Sequence, residues 1–225
     1  LFRSLLEAAE LLRNGAVVGM PTETVYGLAA DARNPEAVRQ IFAAKGRPAD
    51  NPLIVHIAEM RALEQVAATV PPLAEKLAER FWPGPLTMIL PKRKEIPEIT
   101  SGGLDTVGIR MPSHPVARAL IQLSGVPIAA PSANISGYPS PTTAQHVMRD
   151  MQGKIAAVVD GGACSVGVES TVIALEPNGT VRILRPGFVT KEMLEEVALE
   201  VTLDPAILHQ LQEGQTVRSP GMKYQ

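Results

Sequence analysis

Residues 34–57 read Asn34-Pro35-Glu36-Ala37-Val38-Arg39-Gln40-Ile41-Phe42-Ala43-Ala44-Lys45-Gly46-Arg47-Pro48-Ala49-Asp50-Asn51-Pro52-Leu53-Ile54-Val55-His56-Ile57. The first half has the period of a helix. Val38, Ile41 and Phe42 recur at helical spacing, Asn34 is placed to cap the N-terminus and Pro35 suits the first turn. Gly46 and Pro48 stop it. Leu53 to Ile57 is a short apolar run rich in β-branched residues, which predicts a buried strand. A helix handing over to a strand in so short a space argues for an α/β fold.

Working outward, Leu5, Leu6, Ala9 and Leu12 predict an N-terminal helix that Gly15 ends. Strands are expected at 16–20, 86–90, 106–110, 128–130, 156–159, 171–175 and 181–184. Helical stretches are expected at 59–69, 72–81 and 114–124, and Thr142 or Thr143 is placed to cap another. The irregular alternation predicts a mixed, twisted open sheet with helices on its faces and one concave ligand site. The chain shows no internal repeat and no long linker before residue 200.

Composition excludes several function classes. The chain has 225 residues, with 21 Lys+Arg against 23 Asp+Glu and a net charge of −2. A strongly basic nucleic-acid module is thereby excluded, whereas a local anion site inside a neutral total is not. Hydrophobic residues make up 45%, enough for a sizeable core, but aromatics are only 4%, so base-stacking platforms are scarce. One cysteine, Cys164, precludes a disulfide framework or a cysteine metal cluster and favours a reducing, cytoplasmic setting. No apolar run reaches the length of a membrane span, which needs about 18 residues.

Five constellations carry candidate chemistry. Pro21 to Leu28 follows a strand, and the hydroxyls of Thr22, Thr24 and Tyr26 suit a small polar molecule; an ordinary strand–turn–helix junction with capping threonines competes. Lys45 and Arg47 flank Gly46 and can converge on one anion, with helix-dipole complementation as the alternative. His56, between two apolar residues, is either a ligand group or a satisfied core histidine. Arg110 ends a strand before Met111-Pro112 and wants an anionic partner, from a ligand or from an internal salt bridge. Ala130 to Gly137 is a run of small residues, hydroxyls and an amide, which lets a ligand approach the backbone. Gly-rich phosphate loops of the Walker and Rossmann kinds are absent, as is a nucleophile elbow around Ser132. The run Lys92-Arg93-Lys94 reads as a solvated loop, with RNA contact as the minority reading.

Taken in order, PTETVYGL (21–28), KGRP (45–48), NPLIVHI (51–57), DTVGIRMP (105–112), APSANISG (130–137), ESTV (169–172) and LRPG (184–187) resemble the threonylcarbamoyl-AMP synthase family, of YrdC-like fold. The agreement runs from about residue 5 to 195. The resemblance implies a synthase that condenses L-threonine, bicarbonate and ATP to threonylcarbamoyl-AMP and pyrophosphate, for threonylcarbamoyladenosine at position 37 of certain tRNAs. It implies that Thr24, His56, Arg110, Ala130 and Ser170 surround threonine. Arg47, Asn51, Thr106, Ser132, Asn134, Ser140 and Arg185 would line the nucleotide, with Lys45 and Arg47 at the triphosphate as the catalytic pair. Mg²⁺ is expected with ATP, Glu23 and Glu169 being the nearest carboxylates for a minor metal or orienting role. Residues 1–212 would form the catalytic domain. Residues 213–225, with Ser219-Pro220-Gly221-Met222-Lys223-Tyr224, are similar to the start of a long-form linker to a C-terminal domain absent here, and Tyr224 would close over the nucleotide. Expected partners are the tRNA-modification machinery that takes the adenylate, with no membrane and with direct RNA binding open. Two other readings stand beside this one: a domain that forms carbamoyl-adenylate from carbamoyl phosphate, and a non-catalytic RNA-binding module.

Overall fold

The computed structural model describes residues 2–208. Ten strands form one open mixed sheet: β1 (Val18–Met20), β2 (Gly27–Asp31), β3 (Ile54–His56), β4 (Leu86–Pro91), β5 (Thr106–Arg110), β6 (Ile128–Ala129), β7 (Ala157–Val158), β8 (Thr171–Leu175), β9 (Val181–Arg185) and β10 (Val201–Leu203). Their spatial order is β10-β9-β8-β4-β5-β3-β6-β2-β1-β7. The helices are α1 (Phe2–Arg13), α2 (Pro35–Lys45), α3 (Pro72–Phe81), α4 (Glu98–Ser101), α5 (Pro115–Ser124), α6 (Ala144–Met151), α7 (Lys191–Glu195) and α8 (Pro205–Leu208), with a 3₁₀ turn at Met60–Gln65.

Strand side chains alternate between faces, so one strand feeds two cores. On β2, Leu28 and Ala30 join the cluster that contains Val38, Ile41 and Phe42 of α2 and Leu77 of α3. Ala29 joins instead the cluster with Leu5, Ala9 and Leu12 of α1 and Leu120 and Ile121 of α5. Helices therefore cover both faces, as expected. Leu6 departs from its expected core position and is exposed, because it lies one residue off the buried stripe of Leu5, Ala8, Ala9 and Leu12.

The capping chemistry holds as read. Asn34 Oδ1 accepts from Glu36 N at 3.0 Å and Ala37 N at 3.3 Å, and such a cap contributes about 1 kcal/mol. Gly46 closes α2 at φ 66°, the left-handed conformation that glycine adopts without a Cβ clash. Thr143, rather than Thr142, caps α6 by accepting from His146 N.

Several elements differ from the sequence reading, which did not expect the short helices α4, α7 and α8. Pro21 to Tyr26 links two antiparallel strands, β1 and β2, and no helix follows. Gly27-Leu28-Ala29-Ala30-Asp31 lacks β-branched residues and alternation, so its central-strand position was not legible. The helix expected at 59–69 is only the 3₁₀ turn. β10, a three-residue edge strand parallel to β9, was not expected either.

Candidate functional site

Two parallel strands bring the first pair of polar side chains together. β3 and β5 align His56 with Arg110. On β5, Val107 and Ile109 enter the core beneath the sheet, so Arg110, one residue on, points from the opposite face. Both residues are buried, at 3% exposure. Arg110 Nη2 lies 2.5 Å from Glu23 Oε1, Nη1 donates to Thr24 Oγ1 at 2.9 Å and Nε donates to Gly84 O at 3.3 Å. The other oxygen of Glu23 accepts from Ser113 N at 3.2 Å. Burial opposes ionisation of Glu23, yet the Arg110 charge and these hydrogen bonds hold its carboxyl below the usual range. The internal salt bridge weighed for Arg110 is thus present, and its partner is Glu23.

The threonine hydroxyls have a fixed sense. Thr22 donates to Val25 O at 2.6 Å, which spends its only proton. The 2.9 Å contact between Thr22 and Thr24 must then be donated by Thr24. Thr24 accepts from Arg110 and has no proton left, so it offers a ligand a lone pair. His56 Nδ1 sits 3.2 Å from Ile54 O. Burial, aided by the Arg110 charge, lowers its pKa to about 3, so the imidazole is neutral at ordinary pH. His56 is both a core histidine and a wall of the cavity described below.

A second meeting joins the Lys-Gly-Arg turn to the Ser-Ala-Asn turn. Lys45 Nζ donates to Ser132 O at 2.5 Å and Asn134 O at 2.8 Å, and Ser136 N donates back to Lys45 O at 3.1 Å. The side chain is 2% exposed. Burial first, and the Arg47 charge second, lower its pKa to about 7. A neutral amine keeps two N–H groups, so both carbonyls stay satisfied when the proton leaves. Arg47 stacks over the Phe42 ring, 5.3 Å from its centroid.

The far wall comes from β8 and β9. Arg185 Nη1 lies 2.7 Å from Glu169 Oε2, and Nη2 donates to Ser170 O at 2.9 Å and Ser170 Oγ at 3.1 Å. Thr87 of β4 lies 2.8 Å from Ser170 Oγ. Ser140 donates to Glu169 Oε1 at 2.9 Å, so this carboxylate spans the distance between the loop after β6 and the end of β9.

These walls enclose one hollow with two lobes. The inner lobe, about 70 Å³, is lined by Thr22, Thr24, Ile54, His56, Arg110, Ala130 and Ser170 among others. The outer lobe, about 700 Å³ and open to solvent, is lined by Lys45, Asn134, Tyr138, Ser140 and Val168 among others. Val25, Arg47, Ser132, Glu169 and Arg185 line both. A water needs roughly 10–15 Å³, so the inner lobe has room for a small, amino-acid-sized molecule. The outer lobe has the size of an ordinary ligand pocket, about 300–1,000 Å³.

Residues 10–187 match the family model Sua5_yciO_yrdC, described as telomere recombination. The chain belongs to the Sua5/YciO/YrdC family. Among curated proteins it is similar to a threonylcarbamoyl-AMP synthase from Pyrococcus abyssi, with 54% identity over 96% of this chain and 63% of that protein. It is also similar to the protein of that name from Bacillus subtilis, with 53% identity over 98% of this chain and 63% of that protein. Among solved structures it superposes on P. abyssi Sua5 complexed with L-threonine with a TM-score of 0.93, at 52% identity, covering 99% of this chain and 64% of that one. The chain thus spans about 63% of the length of these curated relatives.

In this Sua5/YciO/YrdC member, most residues singled out from sequence converge on the hollow. Thr24, His56, Arg110, Ala130 and Ser170 line the inner lobe, Lys45, Asn134 and Ser140 the outer, and Arg47, Ser132 and Arg185 both. Thr106 does not line either lobe: it begins β5 opposite Pro91, at the other end of the strand from Arg110. Asn51 is wholly buried beside the lining residue Pro52, and both atoms of its amide lack a hydrogen-bond partner in the protein. Tyr26 does not reach the hollow. Its hydroxyl donates to Gly162 O and accepts from Gly161 N, which anchors the glycine loop after β7. Tyr224 and the 213–225 segment lie outside the described residues.

Sequence reasoning missed Val25, Pro52 and Tyr138 as lining residues and Thr87 as the partner of Ser170. Apolar walls and strand-interior threonines leave no local signal. Among the described residues no group of three His, Cys, Asp or Glu could hold a metal ion. Glu23 and Glu169 are each engaged by an arginine instead. Lys92 Nζ donates to Ile96 O and Arg93 Nε to Glu64 O, so the first two residues of the basic run are held by backbone carbonyls. Among the described residues no helix is long and apolar enough to cross a membrane.

Proposed function

We propose that this chain carries the catalytic part of an L-threonylcarbamoyladenylate synthase, with threonine in the inner lobe and ATP in the outer. The observation that carries the reading is the contact of Lys45 with Ser132 and Asn134. It joins two motifs into the rim of a hollow whose small lobe opens into a large one.

The inventory suits a reaction in which the substrates supply the nucleophiles. The threonine amine attacks the carbon of bicarbonate with loss of water, forming a carbamate. A carbamate oxygen then attacks the α-phosphorus of ATP, and pyrophosphate leaves. In this reading Arg110 holds the threonine carboxylate, while Thr24, with only a lone pair to offer, accepts from the amino acid's ammonium or hydroxyl. Neutral His56 and Ala130 shape the wall. Arg47 and Arg185, shared by both lobes, face the reacting junction and offset negative charge as pyrophosphate departs. Lys45 fixes the rim and lends charge to the phosphates. Ser132, Asn134 and Ser140 orient the nucleotide. Thr106 has no such role in this arrangement. Holding the reactants in line supplies roughly 7–11 kcal/mol of barrier lowering in well-oriented systems.

Mg²⁺ in this reading arrives with ATP. The carboxylates near the outer lobe do not form a resident metal site, since Glu169 is held by Arg185 and Ser140. The product would pass to tRNA-modification partners, and a single free thiol, Cys164, suits the cytoplasm.

The test is mass detection of threonylcarbamoyl-adenylate after incubation with ATP, L-threonine, bicarbonate and Mg²⁺. Formation of the adenylate with stoichiometric pyrophosphate is expected. Absence of both, in protein that binds ATP, defeats the reading. No observation favours the carbamoyl phosphate or RNA-binding alternatives over it.

A further inference from the structure

The salt bridge beneath the inner lobe has a use that neither burial nor fold stability requires. Arg110 has five N–H donors. Nε is spent on Gly84 O, one Nη1 proton on Thr24 and one Nη2 proton on Glu23. One N–H on each terminal nitrogen is left, on a guanidinium that is 3% exposed and lines the lobe. Glu23 is fixed on its other side by Ser113 N, at the start of the segment that leads into α5. Its carboxylate therefore sets where the remaining donors sit.

The charges at this end of the hollow balance in pairs. Arg110 is matched by Glu23 and Arg185 by Glu169, while His56 is neutral. The further cation on the lining, Arg47, stands where the two lobes meet.

We propose that Glu23 is a positioning residue. It aims the two unspent N–H groups of Arg110 at the inner lobe and cancels that residue's charge, so the lobe selects a zwitterionic amino acid over a monoanion of the same shape. The inference deepens the threonine reading and rests on it. A carboxylate ligand pairs with the Arg110 fork, and its ammonium meets the lone pair of Thr24. With the Arg110 charge already matched by Glu23, a ligand bringing a carboxylate and no ammonium adds a net negative charge beside a neutral pair and offers Thr24 only a neutral donor. A salt bridge serving the fold alone would not discriminate between two such ligands.

The experiment is calorimetric titration of the intact protein with L-threonine and with 2,3-dihydroxybutanoate of matching configuration, in which a hydroxyl replaces the ammonium. Wild-type protein is expected to prefer threonine by about tenfold or more, and Glu23→Gln to shrink or reverse that ratio by about tenfold while ATP affinity holds. An unchanged ratio in folded Glu23→Gln protein overturns the proposal. Should that variant not fold, Glu23→Asp decides: it keeps the charge but shifts the fork. Weaker threonine binding with the preference retained supports the proposal, and threonine affinity equal to wild type overturns it. Wild-type protein that binds neither ligand defeats the threonine reading itself, before any variant is compared.

Discussion

The ammonium of Lys45 and the carbonyl oxygen of Asn134, 89 positions apart in sequence, lie 2.8 Å apart in the fold. The Ser-Ala-Asn turn is thereby fixed to the end of α2, and Arg47, two residues beyond the lysine, is held at the junction of the lobes.

Lys45 and Arg47 are therefore separable by mutation. Lys45→Met leaves the carbonyls of Ser132 and Asn134 without their buried donor and is expected to destabilise the protein by about 2 kcal/mol. Arg47→Ala, which removes the stacking on Phe42, is expected to cost less, about 1 kcal/mol. Both are expected to lose ATP-to-pyrophosphate turnover, with threonine binding kept in the arginine variant. Chemical denaturation and a pyrophosphate assay check the pair. Turnover at wild-type level in Arg47→Ala would count against its phosphate role.

Lys45 also sets a pH dependence. Its folded pKa of about 7 lies below the ordinary lysine value of 10.5, so between these values the unfolded chain binds the extra proton. Stability from this group then rises with pH, by up to about 1.4 kcal/mol per unit. Between pH 7 and pH 9 the wild type is expected to gain about 2 kcal/mol relative to Lys45→Met. Denaturant titrations at the two pH values measure the gap, and a constant gap would refute the assignment.

His56 acts on the acid side with the same sign. Its folded pKa of about 3 lies below the ordinary 6.5, so stability from this group is intact above 6.5 and falls as the solution is acidified below it. His56→Asn is expected to flatten the thermal midpoint between pH 6.5 and pH 5. Glu23, also held below its usual range, adds acid sensitivity only lower, below the ordinary carboxylate value of 4.5. A midpoint that drops equally in both proteins over that window would place the protonation elsewhere.

Gly187 is expected to tolerate no side chain. A Cβ there would stand 2.5 Å from Thr171 N and 2.6 Å from Glu169 O, both backbone atoms. Gly187→Ala must push the end of β9 away from the Glu169–Thr171 segment, which loosens the grip of Arg185 on Ser170. A loss of about 3 kcal/mol is expected, at the upper end for overpacking, together with weaker ligand binding. Thermal melting and titration read the two effects, and a stable variant with full affinity would show that the contact yields easily.

What the sequence disclosed followed the range of its signals. α2 was legible because Asn34, Pro35 and Gly46 act on backbone groups a few residues away. The hollow was legible because its motifs keep polar side chains at strand ends. β2 was hidden, since Gly27-Leu28-Ala29-Ala30-Asp31 is made a strand by its neighbours β1 and β6 and not by its own propensity. The partner of Arg110 was hidden for a related reason. Glu23 stands 87 positions away, and no local pattern distinguishes a carboxylate that meets an arginine from one that meets water. Thr106 misled because the matching motif covers the whole of β5, whereas only the Arg110 end of that strand faces the cavity.

Lining groups of the hollow run from Thr22 to Arg185 and enter it from both halves of the sheet. A small molecule lodged there acts as a further cross-brace between segments far apart in sequence. Occupancy is then bound to the integrity of the entire sheet, and saturating ligand raises the melting point of the whole unit in proportion to RT ln(1 + [L]/Kd), so a thermal-shift screen reads binding and folding as one quantity.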